Sequence, residues 1–162
     1  MDNSEEINRI VIHTETMVKG FFGEYRWLSN YHVCPVIFRG MEFTSSEAAY
    51  QSAKTNDDYV KSQIQAMSPS ESKKFSHSLK TGREWEKTKK GIMYEILVDK
   101  YTRNEDLKRK LLETGSKYLE ETNYWDDTYW GVYMGKGKNT LGELLMKIRN
   151  ELKLQETWIE KL

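Results

Sequence analysis

Glu47, Tyr50, Gln51 and Lys54 recur at i, i+3, i+4 and i+7 within Ser45-Ser46-Glu47-Ala48-Ala49-Tyr50-Gln51-Ser52-Ala53-Lys54. At about 100° per residue they share one face of a helix. An acid, a phenol, an amide and an amine are thus gathered on one stripe. Ala48, Ala49, Ser52 and Ala53 leave the rest of the helix small enough for close packing. That distribution describes one wall of a polar pocket. It also describes a solvated face knit by i, i+3 and i, i+4 contacts.

Three further groupings carry chemical potential. In Trp125-Asp126-Asp127-Thr128-Tyr129-Trp130-Gly131 two carboxylates stand between two tryptophans. Such rings can stack a base, and a neighbouring carboxylate can orient a hydroxyl or a water; core tryptophans around an Asx turn fit the same residues. Gly135-Lys136-Gly137-Lys138-Asn139-Thr140 leads into a helix, where free N–H groups and two lysines could hold a phosphate. It lacks the spacing of a P-loop, and a flexible turn fits it equally. Leu28-Ser29-Asn30-Tyr31 adds a hydroxyl and an amide in an aromatic setting. Trp85 and Lys89, one helical turn apart, fit a cation–π or phosphate contact, or plain helix surface. No Ser–His–Asp or Cys–His arrangement is present.

The elements that must position these residues follow from pattern. Arg9–His13 reads as a strand and Phe21–Tyr31 as irregular structure. Val36–Phe43 reads as a hairpin turning at Arg39-Gly40, and Thr44, Ser45 or Ser46 caps the Glu47 helix. Short helices are expected over 57–67 and 70–80, parted at Ser68-Pro69, and a longer one over about 84–102. Another spans Asp106–Glu113 and stops at Gly115. Lys117–Glu121 suits a strand, and Trp125–Asn139 reads mostly as loop. The last helix opens with Thr140 as N-cap and Glu143 as its capping-box partner, burying Leu141, Leu144, Leu145, Ile148 and Leu152. The fold class expected is α+β: a single compact, mostly helical domain with a small sheet.

The 162 residues suffice for a real core. Lys plus Arg and Asp plus Glu number 25 each, so no bulk electrostatic partner such as duplex DNA is implied. Cys34 stands alone and reads as a small buried hydrophobe. His13, His32 and His77 lack ligand spacing, so neither a disulfide framework nor a metal site is expected. No apolar run approaches the roughly 20 residues of a membrane span, and the polar start, 1–6, reads as frayed rather than as a signal peptide. The expected location is cytoplasmic, and no oligomeric state is indicated.

Taken in order, the motifs resemble the NADAR family. The resemblance is carried by Phe22-Gly23, Leu28-Ser29-Asn30-Tyr31, Glu47 with Tyr50-Gln51 and Lys54, Gly82-Arg83, Trp85 with Lys89 and Met93, and Leu111-Leu112 with Thr114-Gly115. It continues through Asp127, Trp130-Gly131, Gly137-Lys138-Asn139, Leu141-Gly142, Leu145-Met146 and Arg149. It runs from about Phe21 to Leu152, and its last block is the most specific. Arg26-Trp27 is unusual for the family, and Tyr31 stands where phenylalanine is common. The resemblance implies an N-terminal extension at 1–20, partly strand, an N-glycosidase-like domain at 21–154 and a tail at 155–162.

The activity implied is hydrolysis of an N-glycosidic bond to a ribosyl phosphate unit, without metal or cofactor. The implied partners are ADP-ribosylated nucleic acid, the mark lying on guanine, or a ribosyl-phosphate small molecule, namely the ribosylamino-pyrimidine intermediates of flavin synthesis. Glu47 and Asp127 are the catalytic candidates. Trp85, Trp130 and Tyr50 would shape the base and ribose sites, and Ser29, Asn30 and Gln51 would orient hydroxyls. Lys89, Lys138 and Asn139, with Gly137 and the loop N–H groups, would hold phosphate; Lys54 and Gly131 complete the expected site. Lys87, Lys89, Lys90, Lys108, Arg109 and Lys110 could form a basic rim for a strand or simply wet helix faces. A module that binds ADP-ribose without cleaving it, or a purely structural interaction protein, are the other readings.

Overall fold

The computed structural model of the chain describes residues 3–162. The elements in order are α1 (Ser4–Ile10), β1 (Ile12–His13), β2 (Met17–Lys19), a 3-10 turn (Gly23–Leu28), β3 (Val33–Phe38), β4 (Met41–Ser45), α2 (Ser46–Ser52), α3 (Asp58–Gln65), α4 (Pro69–Ser76), α5 (Trp85–Arg103), α6 (Glu105–Glu113), β5 (Tyr118–Glu120), β6 (Thr122–Asn123), β7 (Val132–Tyr133) and α7 (Thr140–Glu160). The class is α+β and mostly helical, as the patterning indicates. The strands form three small sheets rather than one. Two units are distinguished, residues 30–108 and residues 1–29 with 109–162.

In the unit of residues 30–108, the expected hairpin is present. Arg39 (φ 50°) and Gly40 (φ 85°) are both left-handed, the requirement of a two-residue type I′ loop. β3 and β4 pair antiparallel in the register Val36↔Phe43, Ile37↔Glu42 and Phe38↔Met41, with an irregularity between Val33 and Val36. Pro35 lies there and has no N–H for the ladder. α5 supplies what the strand lacks: Asn104 Nδ2 donates to the Pro35 carbonyl at 3.0 Å, and the Ile37 N–H donates to Asp99 Oδ2 at 2.7 Å. α2 packs against β4, α3, α4 and α5, and every one of its residues is buried. Asp57 caps α3 through Tyr59 and Val60. Ser68 and Glu71 form a capping box on α4, with Pro69 as its first residue. The two helices are parted at Ser68-Pro69 as expected, with Pro69 opening the second.

In the other unit, β1 and β2 pair antiparallel and β2 and β5 parallel, while β6 and β7 form a separate parallel pair. α7 packs on β5 and buries the five apolar residues expected of it. Arg149, on the same helix, donates from Nη1 to Thr114 Oγ1 at 3.0 Å and to the Lys117 carbonyl at 2.8 Å, tying down the turn after α6.

Several expectations are corrected. Arg9 and Ile10 close a helix rather than open a strand, and only Ile12–His13 is extended. An acidic first turn (Glu5, Glu6) and a basic last turn (Arg9) complement the helix dipole of α1. The frayed start expected over 1–6 fails from Ser4 onward; residues 1 and 2 lie outside the described residues. Phe21–Tyr31 contains a 3-10 turn, and the Trp125–Asn139 loop contains β7. The Thr140–Glu143 capping box does not form. Asn139 is the N-cap, in left-handed geometry (φ 51°), and its side chain is committed elsewhere.

Cys34 is buried, as expected, and burial pushes its thiol up, with Lys100 opposing and Asp99 adding. Tyr101 is fully buried, which holds its phenol well above its ordinary value of 10.0, with Cys34 adding. A group raised in the folded state contributes stability that is complete below its unfolded value and is lost as pH rises above it. Tyr101→Phe is therefore expected to flatten the fall in melting temperature above about pH 10. Parallel curves for variant and wild type would contradict this.

Candidate functional site

α2 begins where β4 ends. Ser45 supplies the cap, its Oγ accepting the Ala48 N–H at 3.0 Å. Asn30 braces the same turn. Its carbonyl accepts the Glu47 N–H at 3.1 Å, and its Oδ1 accepts the Ser46 hydroxyl at 2.8 Å. Its Nδ2 donates to Met93 Sδ at 3.6 Å. Both ends of the Asn30 amide are thus engaged, the oxygen by Ser46 of α2 and the nitrogen by Met93 of α5, although the sequence suggested a ligand-orienting role.

The polar stripe is not solvated. Glu47 is 7% exposed and Gln51 3%. Gln51 Nε2 donates to Glu47 Oε1 at 2.6 Å. That bond fixes which way the amide points, and it leaves the buried Gln51 Oε1 with no hydrogen-bond donor. A buried carbonyl in that state is an acceptor awaiting a hydroxyl or an N–H. Tyr50 and Trp85 lie with ring centroids 5.3 Å apart at 45°. The Lys54 ammonium stands 5.5 Å from the Tyr50 ring and 6.0 Å from the Trp85 ring. Burial pulls the Lys54 amine below its ordinary value; Glu47 opposes this, while Lys73 and Lys89 add to it. Lys89 Nζ reaches Glu86 Oε2 at 2.5 Å, with its own side chain only 13% exposed. The unit of residues 30–108 therefore brings together Asn30, Glu47, Tyr50, Gln51, Lys54, Trp85 and Lys89.

The remaining candidates belong to the other unit. Ser29 follows the 3-10 turn and donates its N–H to the Arg26 carbonyl at 3.0 Å. Asp127 Oδ1 accepts the N–H groups of Tyr129 (3.1 Å) and Trp130 (2.9 Å), an Asx turn. Asn123, which the sequence reading overlooked, closes the ring. Its Oδ1 accepts the Asp127 N–H and its Nδ2 donates to the Asp127 carbonyl at 2.9 Å. The Trp130 ring meets Tyr129 edge-on at 4.9 Å. A Cβ on Gly131 would collide with the Glu121 carboxylate and carbonyl, so only glycine fits there.

At the phosphate cradle expected of the glycine loop, the N–H groups from Lys138 to Leu141 are already paired. The N–H groups of Lys138, Asn139, Thr140 and Leu141 donate to the carbonyls of Thr128 (2.8 Å), Gly131 (3.2 Å), Tyr129 (3.1 Å) and Trp130 (2.9 Å). The 128–131 segment occupies the helix N-terminus where an anion was expected. Gly137 (φ 147°) packs against the Gly131 carbonyl. Asn139 Nδ2 donates to the Leu119 carbonyl at 2.9 Å, and its Oδ1 accepts the Glu121 N–H at 2.9 Å. Lys138 Nζ lies 5.5 Å over the Tyr129 ring. Of the basic rim residues, Lys87 meets Glu84 and Arg109 meets Glu113 on their own helices, the pattern of a solvated face, whereas the largely buried Lys89 meets Glu86.

The α+β scaffold thus carries a buried acid–amide pair beside two rings and an ammonium. The NADAR domain model matches residues 19–153, and the chain belongs to the NADAR family. N-glycosidase YbiA of Escherichia coli (strain K12) is 31% identical over 138 residues, covering 82% of this chain and 85% of that protein. The NMR structure of E. coli YbiA superposes with a TM-score of 0.79 at 28% identity, covering 93% of each chain. Riboflavin biosynthesis protein VVA0006 of Vibrio vulnificus is 29% identical over 130 residues, 78% of this chain and 35% of that protein.

The Asx turn separates two roles for Asp127. Asp127→Asn keeps the accepting oxygen and is expected to leave both stability and activity near wild type. Asp127→Ala is expected to cost about 1–2 kcal/mol in urea unfolding, as loss of a capping oxygen does. Loss of activity in a fully stable Asp127→Asn would instead mark Asp127 as the reacting acid.

Proposed function

We propose that the chain is an N-glycosidase that removes ADP-ribose from guanine in nucleic acid, with Glu47 as its reacting carboxylate. A hydrolase of N-glycosyl bonds is the class for which its relatives are named. The observation that carries the assignment of Glu47 is its burial in a bond with Gln51, whose Oε1 has no donor. Breaking the C1′–N bond sends the electron pair to the base and leaves a ribosyl cation of oxocarbenium character. A fixed carboxylate in a dry site opposes that charge far better than water does. As water adds at C1′, Glu47 takes its proton and passes it to the departing base nitrogen, so the base leaves neutral and the carboxylate is regenerated. Gln51 Oε1 accepts a ribose hydroxyl. The Tyr50–Trp85 pair suits the flat ring or the sugar face, and Lys54 suits phosphate.

A second reading, the clearance of ribosylamino-pyrimidine intermediates of flavin synthesis, is favoured by the name of the Vibrio relative. Both substrates carry the same bond to the same kind of sugar, so the same carboxylate serves either. A module that binds without cleaving would show no turnover on either one.

The test is incubation with DNA carrying ADP-ribosyl-guanine, read by mass spectrometry. Restored guanine and free ADP-ribose are expected. Glu47→Gln is expected to lower turnover by about 10²–10⁴-fold with its fold unchanged by circular dichroism. Near-normal turnover by that variant would refute the mechanism. An unchanged mark, with cleavage of the pyrimidine intermediates instead, would select the second reading.

A further inference from the structure

Lys73 was not among the residues singled out from the sequence. It sits in the last turn of α4, a helix that packs on α2, and its ammonium stands 5.9 Å over the Tyr31 ring. Tyr31 adjoins Asn30, the brace of α2. Lys54 follows α2, and Lys89 lies in the first turns of α5, which also packs on α2. Three ammonium groups thus stand on helical segments that meet at α2, with Lys73 and Lys89 both near enough to Lys54 to repel its charge. Lys54 and Lys73 both face aromatic rings, and Lys89 meets the exposed Glu86.

We propose that Lys54, Lys73 and Lys89 form a cradle for a diphosphate, and that Lys73 is the residue that distinguishes a ribosyl diphosphate from a ribosyl monophosphate. This rests on reading the Glu47 face as the ribosyl site. Several lines of physics converge on it. Like charges drawn together raise one another's energy, and Lys54 registers this: its amine is lowered by burial and further by Lys73 and Lys89. An anion reverses that cost, and one phosphate can be satisfied by the two more buried lysines, Lys54 and Lys89. Lys73, exposed and set on a different helix, is placed for a second phosphate further along the ligand. An ammonium acts on phosphate as a point charge with freely rotating donors, so a lysine at the rim can follow the outer phosphate. Tyr31 gives that lysine an aromatic face to rest on before the ligand arrives.

The experiment is calorimetric titration of the intact protein with ADP-ribose and, separately, with ribose 5-phosphate. It compares wild type, Lys73→Met and Lys73→Arg. ADP-ribose is expected to bind at least tenfold more tightly than ribose 5-phosphate. Lys73→Met is expected to weaken ADP-ribose about fivefold, leave ribose 5-phosphate unchanged and reduce the salt dependence of ADP-ribose binding. Lys73→Arg is expected to restore most of the loss. Equal affinities of Lys73→Met and wild type for ADP-ribose, or an equal loss for both ligands, would overturn the proposal. Because the readout is binding, it stands apart from turnover. A protein that binds with this discrimination but cleaves neither substrate would keep the cradle and remove the N-glycosidase reading.

Discussion

Asn30 is the constraint on which the site in its unit depends. A carboxylate is costly to bury, and it stays buried only where fixed dipoles replace water. Glu47 is held on both sides of its α-carbon: its N–H by the Asn30 carbonyl, its carboxylate by Gln51 one turn on. Ser46 ties the Asn30 amide oxygen into the same knot, and Met93 receives the amide nitrogen from α5. The small residues Ala48, Ala49 and Ser52 then let β4, α3, α4 and α5 close on a short helix that has no water-facing side. A larger residue on that face would hold the helices apart and let water reach the acid.

The other unit solves a different problem by the same means. Its strands are only two or three residues long, too short for ladders to hold the segment from β6 to α7. Side-chain amides do the joining. Asn123 clamps both backbone groups of Asp127, and Asn139 bridges Leu119 and Glu121. The carbonyls of 128–131 meet the first N–H groups of α7, so the helix end is satisfied from within the chain. The close approach of Gly131 to Glu121 is what permits this, since a side chain there would force the segment off the helix.

Charge is distributed with the same economy. Arg9, Lys87 and Arg109, all exposed, each meet a carboxylate on their own helix and contribute little to stability. On the α2 side of that unit Lys54 and Lys73 face rings. A ring attracts a cation without neutralising it, so positive potential is retained where an anionic sugar would dock.

Periodicity and turn chemistry carried much of the structure into view. The Arg39-Gly40 hairpin, the succession of helices from 58 to 113, the buried face of α7 and the stripe of Glu47, Tyr50, Gln51 and Lys54 were all legible, because each depends on residues close in the chain. So was the family, because its motifs recur in order. What sequence left open was the use of each polar group. Asn30 and Asn139 looked like ligand contacts, but the Asn30 amide is bonded to Ser46 and Met93 and the Asn139 amide to the backbone of Leu119 and Glu121. The glycine loop looked like an anion cradle, yet the carbonyls of 128–131 take the N–H groups from Lys138 to Leu141. Asn123 and Lys73 gave no local sign at all. These choices turn on partners far away in sequence, and only tertiary packing decides whether a donor meets a carbonyl, a ring or a ligand.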